Sequence, residues 1–187
     1  MIDFKRDRRS RLDRADVRGW NHILVCGSTG PRNQPKMVLG IRSFPDGFSV
    51  VVLEGTQSNP GCVQHRRFKL PAGATWPAAL TWVRRQMAEV MQQAGIDEAC
   101  IKIIEHNARN KSCERLQIEA VVQEYLNTEL GIECKEMVKA QIKRAIPDFT
   151  EPARYLDRVF AGRLQLGELN VPNFQEATVA AIALLPS

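Results

Sequence analysis

Residues 37–55 read MVLGIRSFPDGFSVVVLEG. The first half is a continuous apolar run from Met37 to Ile41, the pattern of a strand buried on both faces. Pro45-Asp46-Gly47 is a turn with a mechanism: Pro presets φ, Asp bonds its own backbone, and Gly accepts unusual dihedrals. Phe48 to Leu53 is a second apolar strand. Two apolar strands joined so tightly form an antiparallel pair. Cys62 to Leu70 returns as a third strand, which makes a meander.

Downstream of the meander the hydrophobic period changes from two to between three and four. Leu80, Val83, Met87, Val90, Met91 and Ala94 line one face of an amphipathic helix, with Pro77 in its first turn and Gly95 just past its end. Ile101 to Glu105, within IKIIEHN, is a strand that ends on a carboxylate. A second helix carries Leu116, Ile118, Val121, Val122, Tyr125 and Leu126, and Gly131 stops it. Ile132 to Cys134 is a short strand. Val138 to Ile146 is a short helix ended by Pro147. Residues 148–172 read as irregular, with helical character only over Tyr155 to Phe160. A mostly apolar helix, Phe174 to Leu185, closes the chain. Three meandering strands followed by strand–helix alternation give an α/β fold: a mixed sheet, antiparallel then parallel, with helices on both faces.

These motifs resemble the RuvC branch of the RNase H fold, the Holliday-junction resolvases and their relatives. The family's first strand, roughly ILGIDPG, leads through a turn into a G-Y-x-V-I strand. MVLGIRSFPDGFSVVVLEG is similar, with Arg42 where the family carries its first catalytic Asp. The family's fourth strand ends in a catalytic Glu. IKIIEHNARNKSCERLQIEAVVQEYL resembles that segment, with Glu105 as the matching acid. GIECKEMVKAQIKRAI resembles the strand and Lys-bearing helix that follow, with Lys139 and Lys143 as candidate basic residues. NFQEATVAAIALL is similar to the closing D-A-L-A-x-A helix, with Glu176 on its last acidic position and Asn173 uncharged where a further acid can sit. The resemblance covers about Lys36 to Leu185.

It implies a nuclease scaffold whose chemistry needs several carboxylates converging on two Mg²⁺ ions about 3.5–4 Å apart. An Arg at the bridging position cannot ligate a cation and sets a fixed positive charge beside it. The expectation is therefore a catalytically impaired member, with the Arg42 guanidinium in the metal position and paired with Glu105 and Glu176. Such a chain would act as a nucleic-acid-binding or scaffold subunit of a larger complex, with a protein partner or as a homodimer, without a cofactor. Lys139, Lys143 and Arg144 are the candidate phosphate contacts. The alternative is an active Mg²⁺-dependent endonuclease that rebuilds its site from Glu105, Glu176 and either Asp46 or Glu54. A further alternative is a protein-interaction module that binds no nucleic acid.

Residues 1–35 read as a basic N-terminal extension to a domain at 36–187. Lys5, Arg6, Arg8, Arg9, Arg11, Arg14 and Arg18 dominate its first eighteen positions, and Trp20 is a possible partner anchor. His22 to Cys26 reads as a short strand and 27–35 as a loop. Cys26-Gly-Ser-Thr-Gly-Pro-Arg32 has the Cys-x5-Arg spacing of a cysteine-phosphatase loop. That loop must run into a helix N-terminus, whereas here Pro35 and a strand follow. His22, His65 and His106 lack metal-ligand spacing, and Trp76 and Trp82 border a core helix. The 187 residues carry a net charge of +5, which suits a polyanion but does not require one. The five cysteines include no CxxC pair, so no structural zinc is expected. Their odd number, with no signal peptide, fits a reducing cytoplasm, and no apolar run approaches a membrane span.

Overall fold

The computed structural model describes residues 35–93, 95–105, 112–160 and 171–187. The extension 1–35, with Trp20, His22, Cys26 and Arg32, falls almost wholly outside these residues, as does His106. The described chain runs β1 (Val38–Phe44), β2 (Gly47–Gly55), β3 (Pro60–Lys69), α1 (Trp76–Gln93), β4 (Glu98–Lys102), α2 (Cys113–Leu130), β5 (Cys134–Met137), α3 (Lys139–Ala145), α4 (Pro152–Phe160) and α5 (Pro172–Ile182). The sheet order is β3-β2-β1-β4-β5. The pairs β1–β2 and β2–β3 are antiparallel, and β1–β4 and β4–β5 are parallel. This is the mixed sheet expected from the sequence, with β1 at its centre.

Side chains alternate across the strands, so each face has its own core. Leu39, Ile41, Phe48, Val50 and Val52 pack against α1 and α2 through Val83, Met87, Val90, Ile118, Val122 and Leu126. Val38, Val51, Leu53 and Cys100 pack against α3, α4 and α5 through Ile142, Tyr155, Phe160, Phe174, Ala177 and Ala181. Trp82 belongs to the first core, edge-on to Phe68 at 6.2 Å. His65 lies on the opposite face, edge-on to Phe174 at 5.6 Å.

Gly40 decides how closely the last helix approaches. A Cβ there would meet the Ala177 carbonyl oxygen at 2.0 Å and the Ala181 Cβ at 2.8 Å. Only a bare backbone lets α5 lie directly on β1, and this contact carries Glu176 to the end of β1.

Three boundaries differ from the sequence reading. The β4 ladder spans Glu98–Lys102, because register with β1 pairs Val38 with Glu98 and Ile41 with Ile101. The isoleucine-rich segment Ile101–Ile104 suggested a later strand ending on Glu105. That carboxylate instead lies three residues past the strand. β5 begins at Cys134, because Ile132 is taken up by the end of α2: its amide donates to Leu126 O, beside Gly131 at φ 64°. Pro152–Phe160 is a complete helix within the segment read as mostly irregular, burying Tyr155, Leu156, Val159 and Phe160.

Candidate nucleic-acid site at the ends of β1 and β4

Arg42 and Lys102 stand at neighbouring strand ends, one rung beyond the Ile41–Ile101 pair. Both side chains turn to the α5 face. Arg42 Nε and Glu176 Oε2 form an ion pair whose N–H does not point along a hydrogen bond, so the contact is electrostatic. Arg42 Nη1 donates to the Lys102 carbonyl oxygen at 2.8 Å. Lys102 Nζ lies 3.9 Å from Glu176 Oε1 and 4.0 Å from Glu105 Oε1, and it donates to Ile103 O at 3.2 Å. The Lys102 side chain is only 9% exposed, so this ammonium is held among protein groups rather than in water.

Glu105 has a different setting from the one its sequence position suggested. Its Oε1 accepts the Lys139 backbone N–H at 2.8 Å, at the first turn of α3. Its cationic neighbour is Lys102, not Arg42. Of the expected cluster, then, Arg42 and Glu176 meet, and Glu105 joins them only through Lys102. Beside the site, Lys102, Lys139, Ile142, Phe149, Gln175 and Glu176 line a cleft of about 260 Å³.

On the α2 face of the same strand ends lies a second set of charges. The Ser43 hydroxyl donates to Glu119 Oε1 at 2.5 Å, and Arg115 Nε donates to the same oxygen at 2.9 Å. Arg115 Nη2 reaches the Lys102 carbonyl at 3.3 Å. That one carbonyl therefore receives a guanidinium from each face of the sheet. Glu119 is 4% exposed. Burial pulls the Arg115 guanidinium below its ordinary range, and Glu119 and Glu176 pull it back up.

The sequence reading missed Lys102, Arg115, Glu119 and Ser43. For Lys102 the obscuring cause was the assumed end of β4. For Arg115 and Glu119 a signal existed: their i, i+4 spacing on a helix, with Glu119 beside the core residues Ile118 and Val122.

The remaining expected residues are scattered. Glu54 lies beyond the Val38–Leu53 rung, at the opposite end of β1 from Arg42. At about 3.3 Å per residue that is roughly 15 Å away, too far to share an ion with Glu176. Asp46 is exposed at the hairpin tip, where its backbone carbonyl accepts from Leu70 N at 2.9 Å. Lys139, Lys143 and Arg144 are exposed on α3, and Lys139 Nζ lies 4.0 Å from Glu151.

These groups do not fit a pair of divalent ions. On the α5 face of these strand ends both acids, Glu105 and Glu176, are within ion-pair reach of Lys102, and Glu176 also meets Arg42. A metal between them would sit against two fixed positive charges. Among the described residues, no three carboxylates, imidazoles or thiols come together as a metal-holding group.

The backbone arrangement matches solved structures. RuvC from T. thermophilus in complex with a Holliday junction substrate superposes with a TM-score of 0.65 at 12% identity, over 79% of this chain and 91% of that one. A further Thermus thermophilus RuvC structure gives 0.65 at 13% identity, over 79% and 92%. The fold is RuvC-like and of RNase H type. The yeast mitochondrial Holliday junction resolvase Ydc2 gives 0.59 at 10% identity, over 80% and 77%. No protein-family model matches the sequence, and no curated protein matches it. No helix among the described residues is long and apolar enough to cross a membrane.

Proposed function

We propose that this chain is a non-cleaving RuvC-like protein that holds nucleic acid, as a binding or scaffold subunit of a larger assembly. Arg42 and Lys102 stand in for the positive charge that metal ions bring to related nucleases. One observation carries this reading: two cations at adjacent strand ends share the single carboxylate of Glu176. Guanidinium and ammonium groups attract phosphate as metal ions do. They do not generate a metal-bound hydroxide or clamp both attacking and leaving oxygens, so binding is retained and cutting is lost. Lys139, Lys143 and Arg144 extend the positive surface along α3.

Binding to branched, duplex and single-stranded DNA and RNA is expected to weaken steeply with salt. Incubation with Mg²⁺ or Mn²⁺ is expected to leave the substrates intact, and calorimetry to detect no stoichiometric Mn²⁺ binding. Cleavage that disappears in Glu105→Gln or Glu176→Gln would establish the active-nuclease alternative. No binding at low salt would leave a protein-interaction module. Arg42→Asp combined with Lys102→Glu places two carboxylates beside Glu176 and is expected to create Mn²⁺ affinity that the parent chain lacks.

A further inference from the structure

We infer that the phosphate backbone of the bound strand continues from Arg42 across the sheet to the β3 edge, on a track built from Arg67, Lys69 and the ring of Phe44. This rests on the nucleic-acid reading above and specifies where the strand runs.

Register places these residues. Arg42 on β1 pairs with Ser49 on β2, which pairs with Arg67 on β3. The next matching rung is Phe44, Gly47 and Lys69. Residues opposite one another, and those two apart along a strand, share a face. The Arg42–Glu176 pair identifies that face as the α5 side. With Lys102 included, four cations lie in a row across β4, β1 and β3. The middle position of the row is Ser49, which is fully buried and so lies beneath the row rather than on its surface. Glu176 and Glu105 sit at the β4 end, and Asp46 is exposed in the turn just beyond the Phe44–Gly47 pair.

The β3 end is also the open end. Arg67 and Lys69 are exposed, and neither pairs with a carboxylate among the described residues. The Arg67 guanidinium lies over the Phe44 ring, 4.8 Å from its centroid. Stacking fixes one face of the planar group and leaves its N–H fork directed outward, the geometry that suits bidentate contact with phosphate. Phe44 itself is 6% exposed, so it supports the guanidinium rather than offering a stacking surface for bases.

The spacing fits the partner. Strands lie about 4.8 Å apart, so Arg42 and Arg67 are separated by roughly 10 Å across the sheet. Every nucleotide of a strand carries a phosphate, so cations at this separation can meet different phosphates of one strand. Gly47 leaves no side chain beneath the track, and none would fit. A Cβ there would meet the Phe68 carbonyl oxygen at 1.9 Å.

The test is fluorescence anisotropy of a labelled duplex over a salt series, comparing the full chain with Arg67→Ala/Lys69→Ala and with Arg85→Ala. Arg85 is an exposed cation on α1, on the other side of the sheet. Removing two phosphate contacts is expected to reduce the slope of log K against log salt by about 1.8, at roughly 0.9 per contact. Arg85→Ala is expected to leave the slope unchanged. Salt-dependent binding that is equal in the parent and the double variant would overturn the track while leaving the nucleic-acid reading standing. An equal loss in Arg85→Ala would also overturn it, since the attraction would then be diffuse. No binding by the parent chain at low salt would remove both.

Discussion

The two charge networks at the end of β1 differ in what surrounds them. On the α2 face, Ser43, Arg115 and Glu119 form a sealed set, with the Glu119 and Arg115 side chains 5% and 11% exposed. On the α5 face the cations are equally covered, Arg42 at 12% and Lys102 at 9%, but the acids are open to solvent, Glu176 at 29% and Glu105 at 40%. Consecutive residues of one strand, Arg42 and Ser43, feed the two networks. Both networks meet at the Lys102 carbonyl. The sealed network can stabilise only the fold, because nothing outside reaches it. The open one can exchange its internal partners for a ligand's phosphates. Identical chemistry thus serves structure on one face and is available for recognition on the other, and solvent access makes the difference.

The largest effect should come from breaking the sealed side. Arg115→Met leaves Glu119 buried without its cation, and a buried pair deprived of one partner costs about 3–5 kcal/mol. Urea unfolding should show it, and Arg115→Met/Glu119→Leu should recover most of the loss. A loss below about 1 kcal/mol in the single variant would mean that water already reaches Glu119. Next in size is Gly40→Val, where the added atoms meet α5 backbone. Overpacking of this kind costs about 1–3 kcal/mol.

On the open side, Arg42→Met removes a guanidinium as buried as that of Arg115 but leaves Glu176 29% exposed and 3.9 Å from Lys102, so it should lower stability less than Arg115→Met does while reducing nucleic-acid affinity far more. Equal effects of the two variants on binding would erase the distinction between the faces. The smallest effect concerns pH. Burial pushes the Cys100 and Cys134 thiols up to about 12, from an ordinary 9.0. Their contribution to stability is complete below pH 9 and is lost as pH rises from 9 toward about 12, because the unfolded thiols ionise first. A melting temperature followed over that window should fall, and it should fall less in Cys100→Ala. Near neutral pH, iodoacetamide should modify the exposed Cys113 and spare the buried Cys100.

Much of the architecture was legible in the chain. The period-two and period-3.6 patterns placed the strands and most of the helices in order, because burial demands those repeats wherever an element has one apolar face. Arg42 and Glu176 were legible as a pair, since each sits at a fixed place in a motif. Glu105 was not. Its position depends on where β4 stops, and that is set by hydrogen-bond register with β1, a relation between residues about sixty apart that no local pattern contains.

The order of elements, the hairpin at Pro45–Gly47 and the cation at the head of β1 follow from the sequence alone, because each rests on local dihedral preference or on the spacing of apolar side chains. Which charges face one another was decided only by the tertiary structure. Lys102 stands beside Arg42, Glu119 is sealed beneath Ser43, and Arg67 is in line across the sheet. Strand register and the close approach of α5 over Gly40 bring these groups within a few ångströms, and electrostatic interactions act over exactly such distances.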